Sequence, residues 1–239
     1  MNPNPKLTPA DLVRDRFLAT GMAAAAIASV AIFASAASAY PGGTHFDHGA
    51  PGHDFFRNTL CDVARSTAIG GQSNATGASL ARTAMTLYAV ALGLFYWLLP
   101  RELPGHPRLG RLVRTLGALS VPGAIAVVFL PTDRFGVLHG VAIVIAGVPG
   151  LAAAVLAVTA LVRERAGAMA ALGVAAFGAG AVDFVLYVRE LVLDGPPEVA
   201  VSVLERAASV LLLVWMLALA GKTLRATSPA PVMRLGGVA

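Results

Sequence analysis

Charge is scarce in this chain: only 13% of its 239 residues are Asp, Glu, Lys or Arg, against about 25% in a typical soluble domain. With 56% hydrophobic residues and a mean hydropathy of +0.72, the surplus apolar surface must face something other than water, which excludes an ordinary soluble fold. Cysteine is nearly absent. Cys61 stands alone, so an internal disulfide framework is impossible and a zinc site would need other ligand types. Concentrated charge of one sign is missing too. The net charge of +5 is distributed singly and in small groups at the ends of apolar runs, a pattern that orients membrane helices rather than one that tracks phosphates. That argues against nucleic acid as a partner. Catalytic signatures are also lacking: the chain has no G-x-S-x-G, no P-loop, no dinucleotide fingerprint, no H-E-x-x-H and no C-x-x-C, and nothing pairs Ser66, Ser73 or Ser79 with a histidine.

What is present is six long apolar runs. A segment crossing lipid must satisfy its own backbone, so each run is expected to be a helix of about 20 residues. The first covers Phe17 to Ala39 and carries no charge. The second runs from about Leu80 to Pro100, with Arg82 near its start, and the third from about Leu112 to Leu130, with a kink expected at Pro122-Gly123. The fourth spans about Phe135 to Val162, with His139 near its start and Pro149-Gly150 midway. The fifth, about Ala166 to Val188, contains Asp183, and the sixth, about Val199 to Ala220, carries Glu205 and Arg206 in its first turns. Glycines 167, 173, 178 and 180 predict a fifth span at the centre of the bundle, because small residues let helix backbones approach closely.

The loops agree on an orientation. Lys6, Arg14 and Arg16, then Arg101, Arg108, Arg111 and Arg114, then Arg163 and Arg165, then Lys222, Arg225 and Arg234 all fall on one side of a six-span arrangement. Asp47, Asp54, Asp62, Asp133, Glu190, Asp194 and Glu198 fall on the other. The expectation is therefore an all-α, polytopic transmembrane bundle with both termini cytoplasmic. It divides into an N-terminal segment 1–16, a six-helix domain 17–225 and a tail 226–239, with one long outer loop, 40–78, between spans one and two. A bacterial inner membrane is the expected location. Ala37-Ser38-Ala39 also reads as a cleavage site, which would leave five spans, but the preceding apolar stretch exceeds the 7–15 residues of a signal-peptide core, so retention is expected.

The outer loop holds Phe46, Phe55 and Phe56, which predict that it packs back onto the bundle. Two groups of residues in this outer half bear on function. Asp183 lies inside a span, where an ionisable group is a functional-site hypothesis by default, with Arg82 and Arg206 as its candidate partners. An equal alternative is a structural Asp–Arg bridge. Asp183, Tyr187 and Glu190 share one helix face at i, i+4 and i+7. The second group is His45, Asp47, His48, His53, Asp54 and Asp62, with His139 positioned to complete a set; His45, His48, His53 and His139 are the candidate zinc ligands, although their spacing matches no strong motif. Asn74-Ala75-Thr76 is a glycosylation sequon on the outer side.

Two segments carry a resemblance. Asn58-Thr59-Leu60-Cys61-Asp62, with Asn74 and then Ala78-Ser79-Leu80-Ala81-Arg82 leading into the second span, resembles the outer-loop pattern of the DRAM-like superfamily of six-helix membrane proteins, which has an uncharacterised prokaryotic branch. Phe129-Leu130-Pro131-Thr132-Asp133 with Leu138-His139 resembles that family's Pro-Asp then His element; Cys61 stands where the family has Ser. The resemblance implies six helices with both ends inside and, in eukaryotic members, links to lipid organisation or membrane trafficking, with no agreed enzymatic activity. It directs interest to Asn58, Asp62, Pro131, Asp133 and His139.

The reading that follows is a non-enzymatic membrane protein with membrane lipids as partners. Its outer-leaflet cavity would bind a lipid headgroup or small solute through Asn58, Asp62, Arg82, Asp133, His139, Asp183 and Arg206. The alternative is a membrane-embedded metal-dependent hydrolase or transferase with a His/Asp site on the outer face. An ion-coupled transporter titrating at Asp183 ranks last, because no internal repeat is visible.

Overall fold

The computed structural model describes residues 8–193 and 196–227. Lys6, Asp194, Arg234 and the tail from 228 onward, all used in the charge pattern above, lie outside the described residues. Six long helices dominate: α1 (Pro9–Ser38), α3 (Ala75–Leu98), α4 (Pro107–Phe129), α6 (Val137–Arg163), α7 (Gly167–Leu193) and α8 (Val199–Ala226). Two single-turn helices, α2 (Leu60–Val63) and α5 (Thr132–Phe135), lie in loops, and a 3₁₀ turn (Leu99–Glu102) extends α3. All six long helices are long and apolar enough to cross a membrane, with mean hydropathies from 1.5 to 2.6 over their best windows. They are consistent with a multi-pass membrane protein.

Neighbours in sequence are neighbours in space. Helix α1 packs on α3, α3 on α4, α4 on α6, α6 on α7 and α7 on α8, and α8 returns to α1, closing a ring. Short connections make successive helices antiparallel. One end of the ring is fastened by ionic contacts. Arg101, after α3, bonds buried Asp15 of α1 at 2.9 Å, and Lys222 of α8 pairs with Glu102. The large apolar side chains gather toward this basic end, where Phe95 meets Trp215 edge-to-face at 4.9 Å among Met22, Leu98, Leu161, Met216 and Leu219. The far end holds a core of smaller residues, Ala36, Ala64, Ala68 and Ala81 with Tyr40 and Val63, under the long loop. That size gradient leaves room at the loop end, which is where the site lies.

Three expectations change. Helix α1 begins at Pro9, because Thr8 and Asp11 form a capping box and Pro9 suits the first helical turn. Residues 9–16, read as a segment outside the first span, are therefore helical, and Asp15 among them is buried. Likewise α3 begins at Ala75, five residues before the apolar run, which takes the last four residues of the expected loop 40–78 into the helix. The glycine-rich fifth span is not central: α7 has the smallest buried share of the six, 17% of its window, and Gly178 has open space where a side chain would stand. A close approach of one helix backbone to another occurs instead at Gly123 of α4, whose hypothetical Cβ would lie 2.4 Å from the backbone nitrogen of Ala146 on α6. Helix α4 remains one helix through Pro122, as does α6 through Pro149.

Candidate functional site

Residues 39–74 fold into an ordered cap over the ring. Isolated bridges join Gly42 to Pro51 and Thr67 to Ser73. Asn58 is fully buried and ties the cap together internally: its Nδ2 donates to the Gly43 carbonyl at 2.8 Å, and its Oδ1 accepts the Asp54 N–H at 2.9 Å. Helix α2 starts at a second capping box, in which Thr59 Oγ1 accepts the Asp62 N–H and Asp62 Oδ2 accepts the Thr59 N–H at 2.7 Å. Asn74, 2% exposed, donates to the carbonyls of Val63 and Arg65. The amide of Asn74 is thus committed to bonds within the cap and inaccessible to a glycan.

Side chains of the spans hold this cap down. Glu205 of α8 accepts the Leu60 N–H at 2.7 Å, at the start of α2, where a carboxylate also suits the exposed amides. Arg82 of α3 donates to the Ala64 carbonyl and to Ser66 Oγ, at the other end of α2. Asp133 of α5 accepts the Thr67 N–H at 3.0 Å, and Arg65 reaches back to Thr132 Oγ1. Arg206 donates to the Ser202 carbonyl at 2.9 Å and to His53 Nε2 at 3.2 Å, with its guanidinium over the Phe55 ring. His53 therefore accepts in its neutral form, and burial together with the Arg206 charge holds it below the ordinary histidine value.

Between cap and ring is a cavity of about 180 Å³. The cap contributes His45, Phe46, Arg57, Thr59, Cys61, Asp62 and Arg65; Thr132, His139, Tyr187, Glu190 and Ser202 come from the ring side. Asp62, His139 and Ser202 are the buried polar groups of its wall, 3%, 2% and 3% exposed. Asp62 Oδ1 meets His45 Nε2 at 3.2 Å, and that bond raises the histidine above its ordinary value. His139 Nδ1 lies 2.6 Å from the Leu130 carbonyl, which can only accept, so Nδ1 carries the proton. Its Nε2 is buried with no hydrogen-bond partner among the described residues. The Cys61 thiol is pushed well up, first by burial and then by the Glu205 charge, so it is a thiol and not a thiolate nucleophile at neutral pH.

Of the residues expected to bind a ligand, the structure brings Asp62 and His139 together on the cavity wall. Asn58, Arg82 and Asp133 lie outside that lining and support the cap. Arg206 is also outside it and holds His53. Asp183 meets neither Arg82 nor Arg206 in an ion pair. Its Oδ1 is buried without a hydrogen-bond partner among the described residues, one helical turn below the lining residue Tyr187. Of the four candidate zinc ligands, His45 stands on Asp62, His53 on Arg206 and His139 on Leu130, while His48 is exposed. Among the described residues no three His, Cys, Asp or Glu side chains come together as a metal-holding group.

Sequence reasoning missed Arg57, Arg65 and Cys61 as cavity residues and Glu205 as an anchor. The signal available was local: Thr59-x-x-Asp62 is a capping pattern that predicts α2 and with it the direction of its neighbours. Comparison of the chain with known protein families, with curated proteins and with solved structures returns no match.

Proposed function

We propose that the protein is a non-enzymatic, multi-pass membrane protein whose capped cavity binds a small polar group on the outer side, presented by a lipid headgroup or a free solute. The observation that carries this reading is the His139 Nε2: a buried acceptor left without a partner on the wall of a cavity that also carries Arg57, Arg65, Asp62 and Glu190. An orphaned buried acceptor is unfavourable unless a ligand or water completes it. Volume supports a small occupant, since 180 Å³ holds about six waters at roughly 30 Å³ each and falls below the usual range for drug-sized ligands.

The sidedness belongs to the same proposal. Basic residues crowd the end fastened by Arg101 and Lys222, which assigns that end and both termini to the cytoplasm and the cap to the outer face of a bacterial inner membrane. Membership of the DRAM-like superfamily is proposed as well. Its support is that both resembling segments converge on one cavity, Thr59 and Asp62 from the first and Thr132 and His139 from the second. A metal-dependent hydrolase would need the four histidines gathered, and no observation favours that reading.

Native mass spectrometry of the full chain released in mild detergent tests the proposal, alongside thermal unfolding with added headgroup compounds. A retained small ligand or lipid, or a raised unfolding temperature with one of them, is expected. A bare chain that no polar compound stabilises would overturn it.

A further inference from the structure

We infer that the cavity takes a small zwitterion amine first, with a primary ammonium on His139 Nε2 and Asp62 at the buried wall and its anionic group between Arg57 and Arg65. This rests on the binding reading above and adds the ligand's class and its direction. The polarity of the walls carries it. His139 and Asp62 are almost fully buried and both present acceptors. With Nδ1–H committed to the Leu130 carbonyl, the unpartnered Nε2 of this cavity-lining residue is an acceptor only. Asp62 adds a carboxylate, and Glu190 and Glu198 two more. A buried lone pair beside carboxylates is completed by an N–H carrying positive charge.

The donors lie elsewhere. Arg57 has a half-exposed side chain, and the Arg65 guanidinium is fixed by bonds to the Thr67 carbonyl and Thr132 Oγ1. Two guanidiniums suit a phosphate or carboxylate. With its ammonium on the buried pair His139 and Asp62 and its anionic group on the two arginines, a zwitterion meets a complementary group at each end. Aminoethyl phosphate, with about eight heavy atoms, is of the size that such a cavity admits. A quaternary ammonium has no N–H and would leave Nε2 as orphaned as an empty site does.

The experiment is a ligand panel on the purified full chain: short-chain phosphatidylethanolamine, phosphatidylcholine, phosphatidylglycerol and free phosphoethanolamine, read by native mass spectrometry and by thermal stabilisation. The ethanolamine forms are expected to bind about 5- to 150-fold tighter than choline, the factor set by one unpaired buried acceptor. His139→Leu is expected to erase that preference. Arg57→Gln, at an exposed position that folding does not need, is expected to weaken ethanolamine and choline lipids alike and leave their ratio intact. Binding of free phosphoethanolamine alone assigns a soluble source, and binding of the lipid alone a headgroup; either upholds the inference. Equal binding across the panel, or preference for phosphatidylglycerol, overturns the inference while the cavity remains a binding site. No binding by any member overturns both.

Discussion

Replacing Asn58 by Ala separates a structural from a ligand-binding role for the residue that the outer-loop motif brings forward. Its amide makes two bonds inside the cap, to the Gly43 carbonyl and from the Asp54 N–H. Gly43 would keep a second donor, the Tyr40 hydroxyl at 3.2 Å, whereas Asp54 N–H would lose its partner in a site with no exposure at Asn58. One lost bond at about 1 kcal/mol and one stranded donor at about 1–3 kcal/mol give roughly 2–4 kcal/mol against the cap. Because the long helices do not depend on Asn58, the effect is confined to local opening and is read by hydrogen exchange rather than by global unfolding. Protection of the Gly43, Thr44 and Gly52 amides, which bond Ala50, Asp47 and Pro41, should fall roughly 30- to 900-fold. Exchange in α4 and α6 should not change. If the variant keeps its cap protection yet loses a retained ligand, the structural assignment of Asn58 is wrong.

Four further outcomes are expected. Gly123→Val should lower the unfolding temperature by bringing a side chain into the α6 backbone at Ala146, at about 1–3 kcal/mol or more; Gly178→Ala, where nothing stands in the way, should be neutral or slightly stabilising, and equal damage from both would contradict the helix spacing. Arg101→Met should destabilise the basic end by about 1–3 kcal/mol, less than a fully buried pair because Arg14 remains 3.5 Å from Asp15; a thermal melt unchanged from wild type would refute the pairing. His45 is held above the ordinary histidine value by Asp62, so its contribution to the cap is complete below about 6.5 and fades as pH rises through the folded value. His53, lowered by burial, acts in the opposite sense, so cap protection compared between wild type and His45→Gln from pH 5.5 to 8.5 should show a gap that closes with rising pH; a constant gap sinks the ion pair. Finally, the intact mass should include residues 1–39, since α1 buries Ala19, Met22 and Ala36 against its neighbours; a mass starting at Tyr40 would mean that the ring can lose a sixth of its wall.

The number of spans and the gathering of basic residues at one end were legible because both follow from one-dimensional patterns: uninterrupted apolar length and the placement of Arg between runs. The three loop phenylalanines pointed to a loop packed back on the bundle by apolar contact, yet Phe46, Phe55 and Phe56 stay exposed at 42%, 58% and 60%, and the cap is held instead by polar side chains such as Asn58, Arg82 and Glu205. Helices α1 and α3 begin eight and five residues before their apolar runs, since hydropathy ignores caps and the polar residues that start a helix. The partners of the charged residues were not legible at all. Leu60 and Glu205 are 145 residues apart, and no periodicity within either segment encodes their contact. Glycine content misled about α7 for a similar reason: whether a glycine marks a close approach depends on the facing helix, which for Gly123 supplies a backbone and for Gly178 supplies nothing.

An ionisable residue within a span invites a functional reading because lipid offers it no partner. Here the cap offers partners of a particular kind, the unsatisfied backbone groups at the two ends of a one-turn helix. A four-residue helix satisfies almost none of its terminal amides and carbonyls internally. Glu205 takes an amide at the start of α2, and Arg82 takes a carbonyl at its finish. Each charge is thereby hydrogen-bonded, and each backbone group is covered without water. The two charges and the short helix thus require one another, and removing either leaves the other exposed to a medium that cannot solvate it. His139 differs because its bond to Leu130 occupies one ring nitrogen and leaves the second buried without a partner, in a residue that lines the cavity. Asp183 has no such cavity contact, and nothing in the structure explains its orphaned oxygen. Arg82, Asp133 and Asp183 also keep a buried atom without a partner, but none of the three lines the cavity, so it is an unpartnered acceptor on a cavity-lining residue that singles out His139 among the residues first proposed for this site.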